Sequence, residues 1–261
     1  MALPILLGLF AVLGVAVGAF VAHLAEAIMA HRRFTAPTCP HCTTPYAPLQ
    51  WSALLALVTG RWRCQSCDEP LRLPRLLAEL FLGAGFALLL ARYGLSWRVI
   101  LSMAALIPLA MILVTDMETR LIPNKISLPA LGVMLAISLA FGPALPFVIS
   151  AAGQRWRGFA GALVGFLVMR ILVTLGVAVF GEGALGEGDI TLAAYIGAVI
   201  GYPLVFEALV LAFLIGGVGA FLVLITQRGG LRTAIPYGPF LILGCAMTLI
   251  WGQEILFWFL S

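Results

Sequence analysis

Long apolar stretches broken by short polar ones fill almost the whole chain. The first runs from Leu3 to Met29, and others follow at intervals to the C-terminal end. About 20 apolar residues carry a helix across the hydrocarbon core of a bilayer. On that measure the pattern predicts spans over 3–29, 75–92, 97–115, 126–142, 158–181, 190–201, 203–226 and 235–259. The sixth is short, and Gly201-Tyr202-Pro203 is either a tight turn or a kink in one longer helix. The fold class expected is therefore all-α, a polytopic membrane bundle of about eight transmembrane helices. A secretory signal would carry basic residues ahead of an apolar run of roughly 7–15 residues. Here Arg32 and Arg33 follow the run instead, so 1–29 reads as an uncleaved first span with its N-terminus outside.

Composition agrees. The chain has 261 residues, 62% hydrophobic and only 10% charged, and its mean hydropathy is +1.11. Soluble domains carry about 25% charged residues, so membrane lipid is the expected surrounding. The net charge of +4 comes without any basic patch interleaved with aromatics, and no nucleic-acid partner is expected. With the N-terminus outside, the inside loops carry Arg32, Arg33, Arg61, Arg63, Arg72, Arg75, Arg120, Lys125, Arg228 and Arg232. The outside loops carry only Arg92, Arg98, Arg155 and Arg157, and Arg170 falls within a span. That is the bias of cytoplasmic loops.

The only sizeable polar region is 30–74, and it holds Cys39-Pro40-His41-Cys42 and Cys64-Gln65-Ser66-Cys67. Each pair can grip one ion through two thiolates on a tight turn. Cys39, Cys42, Cys64 and Cys67 together make the tetrahedral shell of a structural zinc site. Two disulfides are the alternative, which a cytoplasmic loop disfavours. His41 could replace one thiolate. Four thiolates leave no open position, so zinc here folds the loop rather than catalysing. Cys245, in the last span, reads as a small packing residue.

Two acids stand out because carboxylates near a bilayer are costly. Asp116 ends the third span in Thr115-Asp116-Met117-Glu118-Thr119-Arg120-Leu121-Ile122-Pro123-Asn124, and Asp189 opens the sixth in Gly186-Glu187-Gly188-Asp189. Span parity puts both at the cytoplasmic face. Facing each other, one ionised and one protonated carboxyl can activate water and polarise a peptide carbonyl, since two like charges do not both ionise cheaply. Gly186 and Gly188 permit close backbone approach just before a helix, and Pro123, followed by Asn124, makes a rigid corner beside Asp116. The alternative has Asp116 pairing with Arg120 and Asp189 as a helix cap. Glu118, Glu182 and Glu187 read as solvated neighbours.

These motifs resemble the type 4 prepilin peptidases. Asp116 with Ile122-Pro123-Asn124, the Gly186 to Asp189 motif, and the double Cys-x2-Cys with its 21-residue spacer carry the likeness. Arg61-Trp62-Arg63-Cys64, 74–79 and Ile235-Pro236-Tyr237-Gly238-Pro239-Phe240 extend it over about residues 14–245. The resemblance implies a membrane aspartic endopeptidase of the Gly-x-Gly-Asp class in the bacterial cytoplasmic membrane. It would cut the basic leader from type IV pilin-like or type II secretion pseudopilin precursors after a Gly, ahead of their hydrophobic helix. Asp116 and Asp189 match the family's catalytic pair. Many members also N-methylate the new terminus with S-adenosylmethionine, and Glu79 matches a position that could face that donor. The chain then divides into a first span, 1–29, a zinc-binding loop domain, 30–74, and a protease core, 75–261. Two departures stand out. Gly18-Ala19-Phe20-Val21-Ala22 lacks the family's Ser and Asn, which bears on methylation, and Thr191 stands where Lys is common, which bears on leader contacts.

Three rival readings are a transporter or channel binding protons or cations at the aspartates, a methyltransferase or structural component with a vestigial protease site, and a presenilin-like protease. The first predicts aspartates at mid-span between broken helices. Other polar residues in spans read as pairs: His23 with Glu26, Glu79 with Arg75, Arg170 with Glu207. Gly14, Gly18, Gly161, Gly165, Gly216, Gly217 and Gly219 read as close helix contacts.

Overall fold

Apolar runs with all their backbone groups satisfied internally must be helical in a bilayer, and the structure follows that rule. It is a computed structural model that describes residues 2–30, 36–146, 154–180, 186–226 and 236–260. The helices are α1 (Ala2–Met29), α2 (Ala53–Val58), α3 (Leu73–Tyr93), α4 (Trp97–Thr119), α5 (Asn124–Phe141), α6 (Gln154–Phe180), α7 (Glu187–Ile200), α8 (Val205–Thr226) and α9 (Gly238–Leu260). Among the described residues the only β-pairing is two isolated bridges in the polar loop. Arg32, Arg33, Arg228 and Arg232, counted for sidedness, lie outside the described residues, as do Glu182 and Ile235.

Seven helices, α1, α3, α4, α5, α6, α8 and α9, are long and apolar enough to cross a membrane, which makes this a multi-pass membrane protein. The sixth expected span differs. α7 has 14 residues, of which 11 are buried. It rises only about 21 Å at 1.5 Å per residue, short of the roughly 30 Å core. Its surroundings are other helices rather than lipid. The Gly201-Tyr202-Pro203 stretch is a turn between α7 and α8, with Gly201 at φ +80°.

The helices pair mainly as α1 on α3, α3 on α4, α6 on α7 and α8 on α9. Small residues set the closest of these contacts. A Cβ added to Gly161 would lie 2.2 Å from the Gly197 carbonyl oxygen, and one on Gly165 would lie 2.2 Å from that of Ala193. This antiparallel register puts Asp189 level with Met169 of α6. From there α6 runs on to Phe180, roughly 16 Å further, with Ile171, Leu175 and Val177 exposed. The N-terminus of α7 is thus recessed below the end of its apolar neighbour.

Arg120, left-handed at φ 56°, ends α4, and its N–H returns to the Asp116 carbonyl at 2.8 Å. Pro123 caps α5, its carbonyl accepting from Ile126 and Ser127. The C-terminal end of α4, the N-termini of α5, α7 and α9, and the polar loop gather at one end of the bundle. α3 starts at Leu73, two residues before the boundary expected for the core.

Candidate active site and metal centre

Asp116 sits in the last turn of α4 and is 5% exposed; Asp189 sits in the first turn of α7 and is 6% exposed. The two come from different helices, whose ends pack at the α4–α5 corner. Gly188 makes that packing possible. A Cβ there would stand 2.7 Å from the Ile122 Cβ, so only glycine lets α7 start against the α4–α5 corner. Thr191, one turn on, donates to the Gly188 carbonyl at 2.8 Å and meets the Ser127 hydroxyl of α5 at 3.3 Å.

Each carboxylate accepts one hydrogen bond from the described residues, in both cases from a backbone N–H. Gly186 donates to Asp189 Oδ2 at 3.0 Å, closing the first turn of α7. Gly238 donates to Asp116 Oδ2 at 3.0 Å, across 122 residues. The expected pairing of Asp116 with Arg120 is absent among the described ion pairs. Asn124 opens α5 and is exposed, with no hydrogen bond to either acid among the described residues. Gly238 is a contact of Asp116 that residue chemistry does not reveal, since what it contributes is a main-chain N–H. A Cβ there would lie 2.5 Å from Asp116 Oδ2. Beside it Tyr237 packs on Phe213 and Phe240, and its buried hydroxyl has no partner among the described residues. Both acids lie at helix ends, not between broken halves of a mid-span helix, so the transporter expectation lacks its structural sign.

The four cysteines form two matching knuckles. Thr43 and Asp68, each one residue past its second cysteine, both take φ 59°. Their N–H groups return to the Cys39 and Cys64 carbonyls at 2.9 and 3.1 Å. The bridges Thr38 to Pro45 and Arg63 to Pro70 close both turns alike. Buried Gln50 stitches one to the other, accepting from Ala47 N–H and donating to the Arg61 and Arg63 carbonyls. All four Sγ atoms lie within 4.8 Å of one another, with Cys39–Cys67 and Cys42–Cys64 at 3.6 Å. A disulfide needs about 2.05 Å, whereas sulfurs around tetrahedral zinc sit about 3.8 Å apart given Zn–S of about 2.3 Å. The donor set fits zinc. The Thr44 hydroxyl, with the Thr44 backbone, brings the Cys42 thiol down to about 6. Against the Glu69 backbone, burial and the three neighbouring sulfurs push Cys67 up to about 12. Thiols crowded this way ionise together only beside a cation.

Glu79 is fully buried, and both its oxygens are taken. Oε2 accepts from the Ser52 hydroxyl at 2.6 Å and the Leu54 N–H at 2.9 Å; Oε1 accepts from the Ala53 N–H at 2.6 Å. It caps α2 rather than facing an open site. Its expected partner, Arg75, pairs instead with Glu26 and lies over the Tyr46 ring. His23 goes to the Trp51 carbonyl at 2.7 Å rather than to Glu26. Glu118 is not solvated but bonds Arg72 at 2.8 Å, tying the loop's end to α4 two residues beyond Asp116. Arg170 is exposed on α6, and both Glu207 oxygens are buried without a partner among the described residues, so no pair joins them.

Comparison with known proteins covers both regions. The family described as "Type IV leader peptidase family" matches residues 103–221, spanning both aspartates, and "Bacterial Peptidase A24 N-terminal domain" matches 12–93, spanning the cysteines. Three relatives bear the name prepilin leader peptidase/N-methyltransferase. That of Bacillus subtilis is 26% identical over 98% of both chains. That of Aeromonas hydrophila is 28% identical over 85% of this chain and 74% of its own. That of Myxococcus xanthus is 31% identical over 85% of this chain and 64% of its own. No solved structure matches. With both family matches placed end to end over the described bundle, the chain belongs to the type IV leader peptidase family, a family of membrane aspartic peptidases.

Proposed function

We propose that the protein removes the leader from prepilin or pseudopilin precursors, with Asp116 and Asp189 as the reacting pair. The observation that carries this reading is a pair of buried carboxyls at the packed ends of α4 and α7, each held by a single backbone N–H among the described residues. Close approach lowers the cost of keeping one proton between them. The ionised member takes a proton from water as the water oxygen attacks the scissile carbonyl carbon, and the protonated member donates to the carbonyl oxygen. Collapse of the tetrahedral adduct breaks the C–N bond: the proton taken from water passes to the leaving amine, and one hydroxyl of the adduct returns its proton to the carboxylate that had donated, which restores the pair. Backbone N–H groups from Gly186 and Gly238 hold each acid by one oxygen, so the other is left to meet water and peptide.

The recess of α7 below the end of α6 supports cleavage beside an apolar segment that reaches the acids through the membrane. The basic-loop bias supports a cytoplasmic position for both the acids and the knuckles. A basic leader would then meet Glu187, which is exposed at the start of α7. Cys39, Cys42, Cys64 and Cys67 would hold a structural zinc, which supplies folding energy to the loop. Glu79 does not fit a methyl-donor site, because its acceptors are filled by α2.

The test is leader cleavage of a prepilin-like precursor by the purified protein in lipid. Asp116→Asn and Asp189→Asn should each lose about 10³-fold or more in kcat, since each removes one half of the acid–base chemistry. Full activity in either variant sinks the paired mechanism.

A further inference from the structure

α4 and α5 are joined by only four residues, yet they diverge from the corner that carries the site. Between them lies a cavity of about 360 Å³. Most of its lining is one face of each helix, Ala104, Pro108 and Met111 from α4 and Pro129, Val133 and Ile137 from α5, with one residue each from α1 and α7 and with Lys125 at the end by the α4–α5 corner. From Lys125 to Ile137 it runs roughly 18 Å along α5, more than half the thickness of a hydrocarbon core. The groove starts at the first turn of α5, beside the corner that follows Asp116, and continues away from it along the apolar helices.

We propose that this groove seats the apolar helix of the substrate, so that the peptide leaving it at Lys125 crosses the two aspartates. The proposal deepens the leader-peptidase reading and rests on it. Two observations favour a peptide helix over a lipid chain. The first is continuity: the start of α7 is recessed below the end of apolar α6, and the groove runs from the α4–α5 corner into the apolar part of the bundle. The second is the chemistry of the walls. Pro108 brings no N–H to the carbonyl of Ala104, four residues before it, and Ala104 is exposed in the groove. An acyl chain offers that oxygen nothing. A helix can meet it with a Ser or Thr hydroxyl or with Cα–H contacts, which recur where helices pack closely. Two stripes of side chains at helical spacing are also the shape that takes the ridge of a third helix.

The test uses the full-length protein in lipid nanodiscs with a precursor that retains its apolar helix. A photocrosslinking residue at Val133 should capture the precursor helix, while one at Leu214, exposed on α8, should not. Filling the groove with Ala104→Phe or Ala130→Phe should raise KM about tenfold, the equivalent of about 1.4 kcal/mol, with kcat changed less than twofold. A short soluble peptide carrying only the leader junction should be cut equally by wild type and filled variants. Capture of lipid alone at Val133, or an unchanged KM in folded groove-filled variants, overturns the proposal while Asp-dependent cleavage leaves the peptidase reading standing. No cleavage by the wild type removes both.

Discussion

Glu79 is wholly buried and accepts three hydrogen bonds from the start of α2, whereas Asp116 and Asp189, nearly as buried, accept one each among the described residues. Taking a carboxylate out of water carries a similar penalty at both places. At Glu79 the surrounding donors offset it, and the acid becomes part of the scaffold that holds the loop to α3. At the aspartates the donors among the described residues offset less of it. An acid with spare acceptor positions can take a water, a proton or a peptide; a saturated one can only hold its neighbours. Saturation therefore marks Glu79 as an acid that builds the fold, and it leaves the two aspartates free for the role proposed above.

The metal is the severest challenge to this division. If zinc folds the knuckles, stripping it with a strong chelator removes on the order of 10 kcal/mol of binding free energy from 36–72. Proteolysis should then cut within that segment, while the helices keep their thermal transition within a few degrees. Metal analysis of the untreated protein should return one zinc per chain. A stripped protein whose loop resists protease as before would show that the knuckles stand without a cation, and the crowded sulfurs would need another explanation.

Glu79→Ala tests saturation itself. It strands the Ser52 hydroxyl and two main-chain N–H groups in the interior, at a cost of about 3 kcal/mol. Hydrogen exchange at Ala53 and Leu54 should speed by about a hundredfold as the α2 junction opens more often. Asp116→Asn, by contrast, should leave thermal stability equal or higher while activity is lost, as expected where function keeps a destabilising group. If Glu79→Ala exchanges like the wild type and loses only methyl transfer, the carboxyl is a ligand site after all.

The sequence carried the helices, the metal cluster and the two acids, because each has a local sign: apolar length, paired cysteine spacing, a costly charge at a span end. The length of α7 escaped it. The apolar stretch from Leu192 to Ile200, ending in a Gly-Tyr-Pro turn, looks alike whether lipid or protein surrounds it, and only the packing of α6 and α5 decides. The partners of His23, Glu26, Arg75 and Glu79 were misread for a related reason. Spacing along one helix pairs neighbours at i+3 and i+4, whereas these side chains reach across to α3 and the polar loop. Gly238 was equally hidden, since its contribution to Asp116 is a backbone N–H brought from far along the chain.

The smallest effect is expected where the two regions touch. Arg72 and Glu118 join the end of the polar loop to α4, and their side chains are 42% and 12% exposed. A partly solvated pair contributes about 1 kcal/mol or less, so Arg72→Ala should shift stability by no more than that and cleavage by less than about fivefold. The charge-swapped double variant, Arg72→Glu with Glu118→Arg, should recover at least half of any loss, and a double-mutant cycle isolates the coupling. That small coupling is what the contrast requires: the knuckles brace α4 without setting the chemistry of Asp116. A hundredfold fall in kcat for Arg72→Ala, with zinc content unchanged, would mean that the loop positions the aspartate. The scaffold and the reacting acids would then have to be treated as one unit.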